Sequence, residues 1–340
     1  MTSLPSARGE LSALVLERLR AEPGDLGPAP PVAWPDPLGD EDVQLALYLM
    51  YELHYRGLPG VHPRWEWEPS LLRVRRELED AVEAALEAEL GPPAATPAPA
   101  PEDMDLALRA VVDEAEAGGP SLSRYVEREA TREQVLEFMV QRSAYQLKEA
   151  DPHSWGLPRL SGPPKAALVE IQSDEYGGGR LERMHAHMFG EAMEAVGLDP
   201  TYGAYLDRIP AVTLATVNVL SLFGLHRRWR GALVGHLAVF EMTSSIPNAR
   251  YAAGLRRLGY DGRATAFFDE HVEADAVHEN IAAVDLAGGL ARQEPELAPQ
   301  VVWGARALVA LEGRWARALL GAWEAGRSSL RVPLAPAVAA

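Results

Sequence analysis

The chain has 340 residues, 47% of them hydrophobic and 24% charged, enough to bury a full core in one or two domains. It contains no cysteine, which excludes disulfides, thiolate–zinc sites, iron–sulfur clusters and cysteine nucleophiles, so that any metal must be held by His, Asp and Glu. A net charge of -17 argues against a nucleic-acid surface, which needs a basic face, and is read mainly as a solubility feature.

From the N-terminus, MTSLPSARGELSALVLERLR lacks a basic region, an apolar stretch and a small-residue cleavage site, so export is not expected and a cytoplasmic location is. No uninterrupted apolar run of about 18 residues occurs, so no membrane span is expected. Pro and Gly break the chain at Glu22 to Pro37 and again at Gly91 to Glu102. Between and beyond these breaks the hydrophobic periodicity is helical. It predicts helices over Asp40 to Leu53, Leu71 to Leu90, Met104 to Glu116, Tyr125 to Leu147, Pro164 to Ala195 and Thr201 to Phe223. Further helices follow over Trp229 to Ser244, Asn248 to Leu258, Ala264 to Leu286 and Pro299 to Leu320. In the last of these, Trp303, Ala307, Leu311, Trp315 and Leu319 form an i+4 stripe read as core. The fold class is all-α. The expected division is an N-terminal helical extension over 1–102, a helical bundle over 103–330 and a frayed tail over 331–340.

The segment FFDEHVEADAVHEN holds the most informative pattern, H-x3-D-x2-H at His271, Asp275 and His278. On a helix these positions lie within roughly 60° of one another, so two imidazoles and a carboxylate share a face. That donor set suits iron, manganese or zinc. The competing reading is a solvated acidic face, since Asp269, Glu270, Glu273 and Glu279 crowd the same stretch. Partners must come from other helices, because metal sites in bundles are built across the core. Glu241 follows the apolar run Leu237 to Phe240, where an unpaired carboxylate is costly to bury. His236 lies on another side of the same helix and reads as a core histidine. SDEYGGGRLERMHAHMFGEAM supplies Glu175, Glu182, His185 and His187. Glu182 and His185 make an E-x2-H pair, whereas Glu175 lies ten residues before His185, across Gly177, Gly178 and Gly179. Three glycines cost about 1 kcal/mol each in a helix interior, so close packing or space for a ligand is expected there. Glu52 and His54, two residues apart, cannot share a helix face and read as structural.

The order Glu175, His185, Glu241, then His271, Asp275 and His278 resembles the haem-oxygenase-like di-iron oxidases over roughly Asp103 to Leu320. The first hundred residues look like the extra N-terminal helices of members described as iron-containing redox enzymes. The resemblance implies a haem-oxygenase-like bundle in which those six residues hold two irons. Branches of that family differ in where the first carboxylate lies, which leaves open whether Glu182 replaces Glu175 or joins it. It also implies O2 as co-substrate, an external reductant and a small organic substrate such as an amino acid, an amine or guanidine, or a fatty acid. N-oxygenation or oxidative carbon–carbon cleavage would be the reaction, and the chain would be a monomer or homodimer, with no nucleic acid or membrane partner. Cavity walls are expected from the helices carrying Tyr176, Phe240 and Phe268, with the three glycines making room. The readings from other classes are a ferritin-like iron store and a non-catalytic helical interaction protein.

Overall fold

The computed structural model describes residues 3–28, 34–118 and 121–335; the side chains of Glu116 and of residues 273–277 lie outside that description. Every regular element among the described residues is helical. Helix α1 (Glu10–Leu19) leads into α2 (Glu41–Glu52), which opens on Asp40, whose carboxylate caps the amides of Asp42 and Val43. Helix α3 (Pro69–Leu90) begins with proline at its first position, where no amide is needed. Helices α4 (Met104–Ala117), α5 (Leu122–Arg128) and α6 (Arg132–Gln146) follow. The periodicity over Tyr125 to Leu147 suggests one helix, but it is two. Thr131 and Gln134 form a capping box that starts α6 afresh.

After the short α7 (Asp151–Ser154) come α8 (Gly162–Glu175), α9 (His185–Ala195), α10 (Ala211–Leu225) and α11 (Arg230–Met242). Helix α10 starts ten residues later than the apolar pattern suggests, because residues 201–208 form turns ending at Pro210. Helix α10 is apolar nearly all round and correspondingly buried. Pro247 sits in the first turn of α12 (Ser245–Arg257), where it can be accommodated. The motif helix α13 (Gly262–Asn280) continues into a π-helical segment, Ile281–Ala287, then α14 (Gly288–Gln293) and the long α15 (Ala298–Glu324).

Two hydrophobic clusters hold these elements. The larger joins Leu11, Tyr48 and Trp65 from the first hundred residues to Phe138, Phe223 and Trp303 of the later helices. The smaller joins Met104, Ile171, Val234, Ala282 and Val301 under α8 and the π-helical segment. Helices α11 and α15 touch backbone to backbone. A Cβ on Gly235 would lie 1.8 Å from the Val301 carbonyl oxygen, and one on Gly304 would lie 2.1 Å from that of Ala232. Glycine at both positions therefore sets the depth of α11, and with it the placement of Glu241 at its last turn. No helix among the described residues is long and apolar enough to cross a membrane.

Candidate metal centre

Glu175 is the last residue of α8 and His185 the first of α9. The expected single helix across 164–195 is broken between them. Gly177, Gly178 and Gly179 take φ of 63°, 60° and 80°, the left-handed region that residues with a Cβ avoid. At Gly177 a Cβ would also fall 2.5 Å from the backbone carbon of Arg183. The glycines thus reverse the chain, and His185 Nδ1 comes 3.0 Å from Glu175 Oε2. Glu182, in the short turn Leu181–Arg183, is exposed and outside the cluster, so the E-x2-H pairing is not formed. His187 sits partly exposed, 4.0 Å from Glu191.

The other donors converge from three further elements. His271 Nε2 lies 3.7 Å from Glu149 Oε1. His278 Nδ1 lies 3.4 Å from Glu241 Oε2 and 3.9 Å from Glu175 Oε1. The rings of His185 and His271 stand 4.3 Å apart. Two buried donor sets result, Glu149, Glu175, His185 and His271 in one and Glu175, Glu241 and His278 in the other, with Glu175 common to both. Two ligands on one ion with bonds of about 2.1 Å can be at most about 4.2 Å apart, and the four imidazole–carboxylate contacts fall inside that limit. Asp275 belongs to α13, but its side chain lies outside the described residues.

Glu149 is the donor that the sequence reading missed. It lies three residues past the end of α6 in the turn Leu147–Ala150, and its neighbour Ala150 is the one described non-glycine residue with positive φ, 71°. Such a conformation costs about 1–3 kcal/mol and persists where surroundings enforce it. Here Gln172 enforces it from α8, donating through Nε2 to the Ala150 carbonyl at 2.9 Å and to Ser154 Oγ at 2.6 Å. Burial pushes the Glu149 carboxyl upward, against the pull of His271. Its Oε2 is buried with no hydrogen-bond partner, an arrangement a cation would relieve.

Both imidazoles of the motif are fixed by their second nitrogen. His271 Nδ1 lies 2.8 Å from the Phe267 carbonyl, which can only accept, so Nδ1 carries a proton there and Nε2 is the nitrogen turned toward Glu149. His278 Nε2 lies 3.1 Å from Asp174 Oδ2, which leaves Nδ1 toward Glu241 and Glu175. This is how metal-binding histidines are commonly oriented. A small cavity of about 10 Å³, enough for a single water or ion, is lined by Glu149, Glu175, Glu241 and His271. Oxygen and imidazole donors with a buried, unrelieved carboxylate oxygen fit iron.

His236 pairs with His153 at 3.4 Å, both fully buried and both pushed down by burial, His153 to about 3. Glu52 and His54 lie apart from the cluster, Glu52 against Lys148 and His54 against Glu66 and Arg75. A second cavity, of about 820 Å³, reaches the cluster at Glu149 and His271 and is walled by Phe189, Phe240 and Phe268 among others. Two of the expected wall residues, Phe240 and Phe268, are there. Tyr176 is not; its hydroxyl meets Asp151 at 2.8 Å and Ser154 at 2.9 Å. The three glycines serve the chain reversal and do not line this cavity.

A family model described as iron-containing redox enzyme matches residues 136–313, just over half of the chain. No match is found among curated proteins.

Proposed function

The chain belongs to the family of iron-containing redox enzymes, and from that premise we propose that it is a non-haem di-iron oxidase that uses O2 on a small organic substrate. The observation that carries the reading is the sharing of Glu175 between two buried donor sets. One iron would be held by Glu149, Glu175, His185 and His271. The second would be held by Glu175, Glu241 and His278, with Asp275 proposed from the motif to complete it. Bound iron supplies electrons and open positions for O2, which the side chains of this cysteine-free chain do not.

The protein's own part is to prepare the site. The Phe267 carbonyl and the Asp174 carboxylate each engage the outer nitrogen of His271 and His278, so the other nitrogen of each ring is the one turned to the centre in advance. Glu149, Glu175 and Glu241 would supply the anionic oxygen ligands. Leu237 and Phe240 give the small cavity beside the donors its apolar side. The larger cavity gives an organic molecule a route to the Glu149–His271 side. Electrons for turnover would come from an external reductant.

Anaerobic addition of Fe(II) should saturate near two irons per chain, as carboxylate-bridged di-iron bundles do. Glu149→Gln removes an anionic ligand from one donor set only and should bring the count to about one. O2 consumption by the loaded parent should rise with a member of a panel of carboxylic acids, amino acids, amines and guanidines. Uptake of a single zinc ion with no O2 consumption would overturn the reading.

A further inference from the structure

The 820 Å³ cavity lies in the upper part of the range of roughly 300–1,000 Å³ that ligand sites occupy, far more than a free small amino acid fills. Its inner end is Glu149 and His271; its sides carry Phe240 and Phe268, and the exposed Ile246 stands at its margin. An occupant would therefore bury a substantial apolar body beside the metal centre.

The charges in this cavity do not balance in the way the rest of the chain would suggest. The protein carries -17 overall. Of the carboxylates that line it, Glu312 is taken by Arg142, through two contacts of 3.0 and 2.9 Å, Glu89 by Arg314 at 3.0 Å, and Glu149 belongs to the donor cluster; Glu114 and the arginines Arg124, Arg306 and Arg317 line it as well. Arg250, on α12, is half-buried and lines the same cavity. Among the described residues its guanidinium makes one hydrogen bond, from Nη1 to Ser123 Oγ at 3.2 Å, and no carboxylate lies within ion-pair distance. A guanidinium has five donors in a rigid fork suited to a carboxylate.

We propose that Arg250 is the residue that selects the substrate, pairing with the carboxylate of a molecule whose large apolar body lies along Phe240 and Phe268 toward Glu149 and His271. The word substrate rests on the di-iron reading; the anion site does not. Among the reactant classes open to a di-iron oxidase, this choice favours carboxylic acids with apolar bodies over amines and guanidines, which Arg250 would repel.

Decanoate, decan-1-ol and decylamine, which share one chain and differ in head-group charge, test this on the full-length, metal-free protein by calorimetry. Decanoate should bind tightest and decylamine weakest. Arg250→Leu should weaken decanoate by about 10- to 100-fold, as loss of a charge-assisted pair does, and change decan-1-ol little. Arg250→Lys, which keeps the charge but not the fork, should fall between. Equal or tighter binding of decylamine, or an Arg250→Leu variant that holds decanoate as the parent does, overturns the proposal. Should the leucine variant not fold, the order of the three probes on the parent decides it. Iron plays no part in these measurements. Correct iron loading without a preference for decanoate would sink this proposal alone, and decanoate selectivity without iron uptake would sink the di-iron reading alone.

Discussion

Histidines in this core divide by what faces their second nitrogen. His271 and His278 each have one nitrogen fixed by an oxygen acceptor and the other turned toward carboxylates. His153 and His236 face each other and Phe240, with no carboxylate partner. Burial holds His153 near 3, well below its ordinary 6.5, so the folded chain keeps it neutral while the unfolded chain takes up a proton. Its contribution to stability is complete above about pH 6.5 and is lost as pH falls from there toward 3, at about 1.4 kcal/mol per pH unit. Denaturant midpoints of the metal-free chain at pH 7 and pH 5 should therefore fall less in His153→Leu than in the parent, by about 2 kcal/mol. An identical pH response in both would show that His153 is solvated or already charged. Glu175 and His185 enter through the family resemblance, and the residues legible by themselves are those with local spacing, His271 and His278, or with a contrasting apolar setting, Glu241. Glu149 has neither. Its partners are Glu175 and His271, far off in sequence, and the available sign was only a charged pair, Lys148-Glu149, placed where the helix stops.

At the scale of elements, helix identity was readable and helix interruption was not. Amphipathic periodicity marked α3, α11 and α15 to within a few residues. The glycine run reads as a distortion within one helix that brings Glu175 and His185 inward; in the structure it is a full break between α8 and α9. The same limit hid the π-helical segment Ile281–Ala287, whose extra backbone per turn leaves no composition mark. Turn geometry at Gly177 makes a sharp test. Gly177→Ala forces a Cβ into positive φ and against Arg183, and should destabilise by about 1–3 kcal/mol. Iron affinity should fall along with stability, because the same turn sets Glu175 against His185. Gly178→Ala, where a Cβ meets nothing within 4 Å, isolates the φ cost and should harm iron binding less. Equal iron affinity in the Gly177 variant would separate the turn from the site.

Across the whole molecule, the first hundred residues share the main core and also place a charge beside the centre. Glu52 of α2 pairs with Lys148, the neighbour of Glu149, and accepts a hydrogen bond from Tyr202 at 2.7 Å; Glu52 and Lys148 are both buried. Lys148 Nζ also sits 4.5 Å from the Tyr55 ring centre. Removing one member leaves a buried charge uncompensated, so Glu52→Leu should cost about 3–5 kcal/mol in denaturant unfolding, with much of it recovered in Glu52→Leu/Lys148→Met. A loss below about 1 kcal/mol would place Lys148 in contact with water.

The central claim is that two irons share Glu175, and magnetic spectroscopy of the loaded, air-oxidised protein tests it directly. Mössbauer and electron paramagnetic resonance spectra should show two ferric ions coupled antiferromagnetically, with the ground state silent in resonance. Glu175→Ala should abolish that coupling. An isolated high-spin ferric signal accounting for all the bound iron in the parent would contradict the shared carboxylate and, with it, the di-iron function.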